Sequence, residues 1–65
     1  MLEYVVGYFN KPATKDDFVI FITTDSNAVA MFVRDSYNEA YEKVGMKIVA
    51  VMLHKREVPK NYRFA

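Results

Sequence analysis

The stretch Asp25-Ser26-Asn27-Ala28-Val29-Ala30-Met31-Phe32-Val33-Arg34-Asp35-Ser36-Tyr37-Asn38-Glu39-Ala40-Tyr41-Glu42-Lys43-Val44-Gly45 decides the fold, because its start, period and stop can all be read. It predicts a helix of about five turns. Asp25 or Ser26 supplies an N-cap oxygen for the orphan amides of the first turn. Gly45 can take the left-handed conformation that ends a helix, and Lys43 sits favourably beside the negative end of the dipole. At about 100° per residue, Val29, Ala30, Val33, Ser36, Tyr37, Ala40, Tyr41 and Val44 fall on one half of this helix and are expected to face the core. Arg34, Asp35, Asn38, Glu39, Glu42 and Lys43 fall on the other. Met31 and Phe32 break the division, leaving an apolar pair beside Asp35, Glu39 and Glu42 near the helix start. A single exposed methionine is ordinary, but the pair with its acidic border is a candidate contact patch.

Working outward, Leu2 to Phe9 is rich in β-branched and aromatic residues and reads as a strand, with Gly7 marking a bulge or a close backbone approach. Asn10 to Asp17 is polar, contains Pro12, and reads as the loop of an open antiparallel hairpin. Phe18 to Thr24 follows as a second strand that lacks polar alternation, so both of its faces require cover. Beyond the helix, Met46 to Leu53 is a third strand, again apolar on both faces, running out through His54 to Val58. These elements predict an α+β domain over residues 1–58, ordered β-β-α-β, with a three-stranded, mainly antiparallel sheet in spatial order two, one, three and one helix on one face. Residues 59–65 are expected to form an extended basic and aromatic tail. A single helix covers one face only. The other face, from alternate residues of Phe18 to Ile22 and Ile48 to Leu53, stays apolar and wet unless the tail folds over it through Val58, Tyr62 and Phe64. A homodimer through that face or through a strand edge is expected for the same reason.

Composition narrows the function classes. Sixty-five residues, 52% of them hydrophobic, with two glycines and two prolines, describe one ordered domain near the lower size limit for a hydrophobic core. With no cysteine and one histidine, disulfides, thiolate metal sites and imidazole-rich metal sites find no ligands, and no cofactor is expected. The absence of a positive leader and of a long apolar run points to the cytoplasm. The net charge of +1 hides an asymmetry: residues 1–45 carry seven acidic and four basic side chains (−3), and residues 46–65 carry one acidic and five basic (+4).

His54, Lys55, Arg56, Tyr62 and Arg63 are the residue types that small RNA-cleaving toxins use for proton transfer and phosphate stabilisation, yet no carboxylate partner is specified beside the lone histidine. Lys55, Arg56, Lys60, Tyr62 and Arg63 suit a nucleic-acid-binding surface better, with cations on phosphates and Tyr62 stacking on bases. Against this, a pI near 8.0 is low for such a domain, and the acidic helix face repels a phosphate backbone. Elimination therefore favours a non-catalytic protein-interaction module, with Met31, Phe32, Asp35, Glu39 and Glu42 as its contact residues.

The hairpin, the run Phe21-Ile22-Thr23-Thr24-Asp25-Ser26 into a helix with Ala28, Ala30 and Ala40, then Gly45 and a strand over Ile48 to Leu53, resemble the short phage-encoded host-takeover proteins. The resemblance spans about residues 3–56 and is one of length, element order and helix punctuation. It implies a non-enzymatic phage or mobile-element regulator that binds and inhibits a host protein, and it transfers no functional residue.

Overall fold

The computed structural model describes residues 3–65. Strand β1 runs Tyr4–Lys11 and β2 Asp16–Thr24; helix α1 covers Asn27–Lys43; β3 is Val51–His54, a 3-10 turn follows at Lys55–Glu57, and β4 is Tyr62–Phe64. The fold is α+β, with one helix packed on one face of a sheet ordered β3-β1-β2-β4. Leu2, expected to begin the first strand, lies outside the described residues.

The hairpin β1–β2 is the centre of the sheet. Its register slips at Gly7: Val6 pairs with Ile22 and Gly7 with Ile20, which leaves Phe21 as the extra residue of a bulge. A Cβ on Gly7 would stand 2.0 Å from the Val19 carbonyl oxygen, so glycine is required by close backbone approach. The connecting turn is Pro12–Lys15, shorter than the expected loop because Lys11 pairs with Asp16. Asp17 adopts φ 55°, a conformation that aspartate tolerates better than most residues.

Helix α1 starts and stops as its sequence predicts. Ser26 Oγ accepts from Val29 N–H at 3.2 Å, and Gly45, at φ 73°, closes a Schellman motif in which Met46 N–H donates to Tyr41 O (2.9 Å) and Gly45 N–H to Glu42 O (3.2 Å). Its rotation differs from expectation. Ala30 is buried and Val33, Arg34, Asn38 and Tyr41 are half-buried, whereas Val29, Ser36, Ala40 and Val44 are exposed. Two contacts turn the helix toward its Arg34–Asn38 side. Tyr37 stacks flat on Phe21 at 3.9 Å between centroids, and the Asn38 carboxamide accepts from Ala50 N–H (2.7 Å) while donating to Ala50 O (3.0 Å). A pair of backbone hydrogen bonds outweighs the apolar burial of an alanine or serine, and counting hydrophobic positions does not register it.

The same carboxamide shortens β3. Met46 to Ala50 was expected to be ladder, but pairing with β1 begins at Val51, since Ala50 already bonds to Asn38. A second correction concerns the chain end. The sheet has four strands and is mixed, because residues 62–64 pair in parallel with β2 (Phe18 with Tyr62, Val19 with Arg63, Ile20 with Phe64) instead of forming a free tail. Strands β3 and β4 lie at opposite edges, so residues 55–61 must cross the sheet, and they do so on the face away from the helix. Register places Val5, Phe9, Phe18, Ile20, Val51 and Leu53 on that face, and Val58 packs on them from above. Val5, Phe18 and Ile20 are buried there, so the face expected to be wet is covered by the crossing segment. The two buried faces of β2 are thus both satisfied, one by α1 and one by the chain end.

Candidate functional site

Met31, Phe32, Asp35, Glu39 and Glu42 emerge together on the outward side of α1, and all of them are exposed. Phe32 is 73% exposed and Met31 41%. The turn of the helix enlarges this surface in a way the sequence pattern missed: Val29, Ser36, Ala40 and Val44, expected in the core, form an exposed flank that continues from Phe32 along the helix. Asn38 holds the opposite side of α1 to the β3 edge, so this flank overhangs the β2 side of the sheet. The acidic border is partly neutralised within the helix. Arg34 Nε meets Asp35 Oδ1 at 3.0 Å and Lys43 Nζ meets Glu39 Oε1 at 3.6 Å, which leaves Glu42 as the border acid without an ion pair among the described residues. The result is an apolar stripe centred on an exposed phenylalanine, with weak negative charge along one side.

The basic and aromatic residues of the chain end are dispersed. Lys55 and Arg56 lie in the turn after β3, and Lys55 pairs with Glu3 at 3.5 Å. Tyr62 and Arg63 lie on β4, separated from the β3 edge by β1 and β2. Within β4 they point to opposite faces: Tyr62 shares the face of Phe64, the ring centroids being 6.2 Å apart, while Arg63 turns to the helix side and bonds the Asp17 carboxylate. Lys60 precedes this strand, on the exposed approach to it. His54 lies beside Tyr4, with centroids 5.2 Å apart, and its Nδ1 is buried without a hydrogen-bond partner. Lys55 and Tyr62 line one small pocket with Glu3, Val58 and Phe64, whereas His54 and Arg63 turn to the helix side at opposite edges of the sheet, so the five residues considered for RNA cleavage do not all converge.

Two titratable groups are displaced from their ordinary values. The Asn10 amide, donating to Asp17 Oδ2 at 2.8 Å, holds that carboxyl below the usual carboxylate range; partial burial opposes the effect and the Arg63 guanidinium reinforces it. Burial pushes the Tyr41 hydroxyl up, helped by Tyr8 and Tyr37. The fold holds an open cleft of about 440 Å³. It lies where Met46–Val49 splay from the end of β1, between Tyr8, Phe9 and Pro12 on one side and Met46, Ile48 and Val49 on the other. Lys47 is its one charged lining residue, so it offers apolar packing without an acid–base pair. Among the described residues there is no group of three potential metal ligands, and no helix is long and apolar enough to cross a membrane. Compared with known proteins, the chain matches no family model, no curated protein and no solved structure.

Proposed function

We propose that this protein is a non-catalytic interaction module that works by docking the outward face of α1 into an apolar, basic-rimmed groove of a protein partner. The observation that carries the reading is Phe32, 73% exposed on a helix that is capped at both ends and pinned to the sheet through Tyr37 and Asn38. A large apolar group held on a rigid element loses little entropy on binding, and such anchors contribute about 2 kcal/mol or more when they fill a pocket. Met31 adapts its shape around the anchor, Val29 extends it, and Asp35, Glu39 and Glu42 supply orientation through charge. In the setting that the resemblance to phage host-takeover proteins implies, the partner is a bacterial host protein in the cytoplasm, inhibited by occupation of its surface.

The test is an affinity capture from bacterial lysate with the wild-type chain beside Phe32→Ala and an Asp35→Lys/Glu39→Lys double variant. A saturable protein partner that is lost by both variants, while their circular dichroism is unchanged, supports the reading. Capture of nothing defeats it, and capture of nuclease-sensitive material alone transfers the function to nucleic-acid binding through Lys55, Arg56, Lys60, Tyr62 and Arg63.

A further inference from the structure

The two edges of the sheet are finished differently, and the open one has a pattern that complements itself. In β4, Phe18 N–H donates to Asn61 O at 3.0 Å and Ala65 N–H donates to Ile20 O at 2.8 Å. Odd-numbered residues of this strand thus turn their backbone groups toward β2, and the N–H and C=O of Tyr62 and Phe64 point away from the sheet. No side chain caps them among the described residues. The side chains beside them are 52% and 66% exposed, unusual values for two aromatic residues in a strand.

We propose that β4 pairs antiparallel with β4 of a second copy of this chain, about a two-fold axis through Arg63, joining two sheets into one continuous sheet. In that register Tyr62 stands opposite the partner's Phe64 and Phe64 opposite the partner's Tyr62. These are the hydrogen-bonded pairs of an antiparallel ladder, so every outward N–H meets an outward C=O. The occupant is a second copy, not an unrelated peptide, because Tyr62-Arg63-Phe64 reads aromatic, cation, aromatic in both directions and so matches itself about its centre, as a two-fold interface requires. Aromatic residues then face each other across the new ladder on the side covered by Val58. The obstacle is Arg63 opposite the partner's Arg63, since like charges in directly opposed positions repel. Each guanidinium is already bound to its own Asp17 carboxylate, which removes the net charge at the axis. This contact is independent of the helix face assigned to the protein partner.

The experiment is sedimentation equilibrium on the full chain, made by total synthesis and run up to roughly 1 mM. The expected result is a concentration-dependent dimer that N-methylation of the Phe64 amide weakens by at least about tenfold, since it removes an outward donor and adds a methyl group to the edge. Hydrogen exchange at Ala65 N–H, which bonds inward to Ile20, verifies that β4 stays on its own sheet in the modified chain. Phe64→Lys is the second variant and is expected to give a monomer by placing a charge in the aromatic pair. Phe32→Ala is expected to leave the dimer intact, which separates this contact from partner docking on the helix. A wild-type chain that remains monomeric throughout overturns the proposal, as does a dimer that survives both changes at Phe64.

Discussion

At the β3 edge, Ala50, Met52 and His54 turn their backbone groups outward, as the bond from Lys55 N–H to Glu3 O at 3.1 Å fixes by alternation, and side chains meet three of these six groups. Asn38 takes both groups of Ala50, and Glu57 Oε1 accepts from His54 N–H at 2.8 Å. At the β4 edge the outward groups of Tyr62 and Phe64 meet no side chain among the described residues, and the strand is secured to its neighbourhood by one ion pair, Arg63 with Asp17. An edge that is bonded to a helix cannot template another strand; an edge that is left open can. The difference teaches that this small domain closes one side of its sheet with polar side chains and keeps the other side available.

Both edges hang on the sheet centre, where a substitution has its largest effect. Gly7→Ala places a methyl 2.0 Å from the Val19 carbonyl oxygen and 2.9 Å from the Phe18 ring, in backbone that has no room to yield. The expected loss exceeds about 4 kcal/mol. A chain of this length has a total stability on the order of 3–10 kcal/mol, so the variant should lose roughly half of it or more, read as a large fall in the thermal midpoint by circular dichroism. Next comes Asn38→Ala, which opens the closed edge. It leaves the half-shielded N–H and C=O of Ala50 without their partner and is expected to lower stability by about 2–3 kcal/mol in urea titration, with an unchanged m-value. The same variant should aggregate more readily than wild type, because the β3 edge then resembles the β4 edge.

How much of this contrast was legible in the sequence differs by element. The helix, its Ser26 cap and its Gly45 stop could be read because their determinants are local: a hydroxyl at the start, a glycine at the end, a period between. Gly7 announced a bulge or a close approach for a similar reason, and both occur there. The rotation of α1 was not legible, since Asn38 looks like a solvated residue until Ala50 is found beside it. The fourth strand was hidden in the same way. Tyr62-Arg63-Phe64 does alternate, but three residues are too short a period to distinguish a strand from a tail, and its partner β2 lies some forty residues earlier. The candidate patch at Met31 and Phe32 was legible because those residues contradict the helical period, while its extension through Val29, Ala40 and Val44 depends on the rotation.

Acid reaches the open edge through the Arg63–Asp17 ion pair. Asp17 has its folded-state value held below that of the unfolded chain, so its contribution to stability is present above the ordinary carboxylate range and is lost as pH falls through the lowered value. Protonation releases Arg63, and the parallel pairing of β4 should fray before the Ala50 end of the β3 edge does, where the Asn38 carboxamide does not titrate. Amide exchange at Ala65 N–H is therefore expected to accelerate, relative to its intrinsic rate, as pH falls below the ordinary aspartate value of about 4, and to do so more than exchange at Ala50 N–H. In Asp17→Asn this pH dependence should disappear. Equal acceleration at both amides would mean that the ion pair does not hold the open edge.

The smallest effect tests the closed edge at its exposed end. Glu57 reaches back from the turn after β3 and accepts from the N–H of His54, the last residue of the strand, at 2.8 Å. Both ends of this bond are near solvent, so Glu57→Ala releases a donor that water can satisfy, and the expected loss is about 0.5–1 kcal/mol. Glu57→Gln keeps an acceptor oxygen at the same reach and should recover part of that loss, which separates hydrogen bonding from charge. The informative readout is assembly, not stability. If side-chain caps are what keep the β3 edge from pairing, Glu57→Ala should self-associate more than wild type at the same concentration, and Glu57→Gln should not. If both variants sediment as wild type does, the Glu57 contact is only a local brace for the turn, and closure of this edge rests on Asn38 alone.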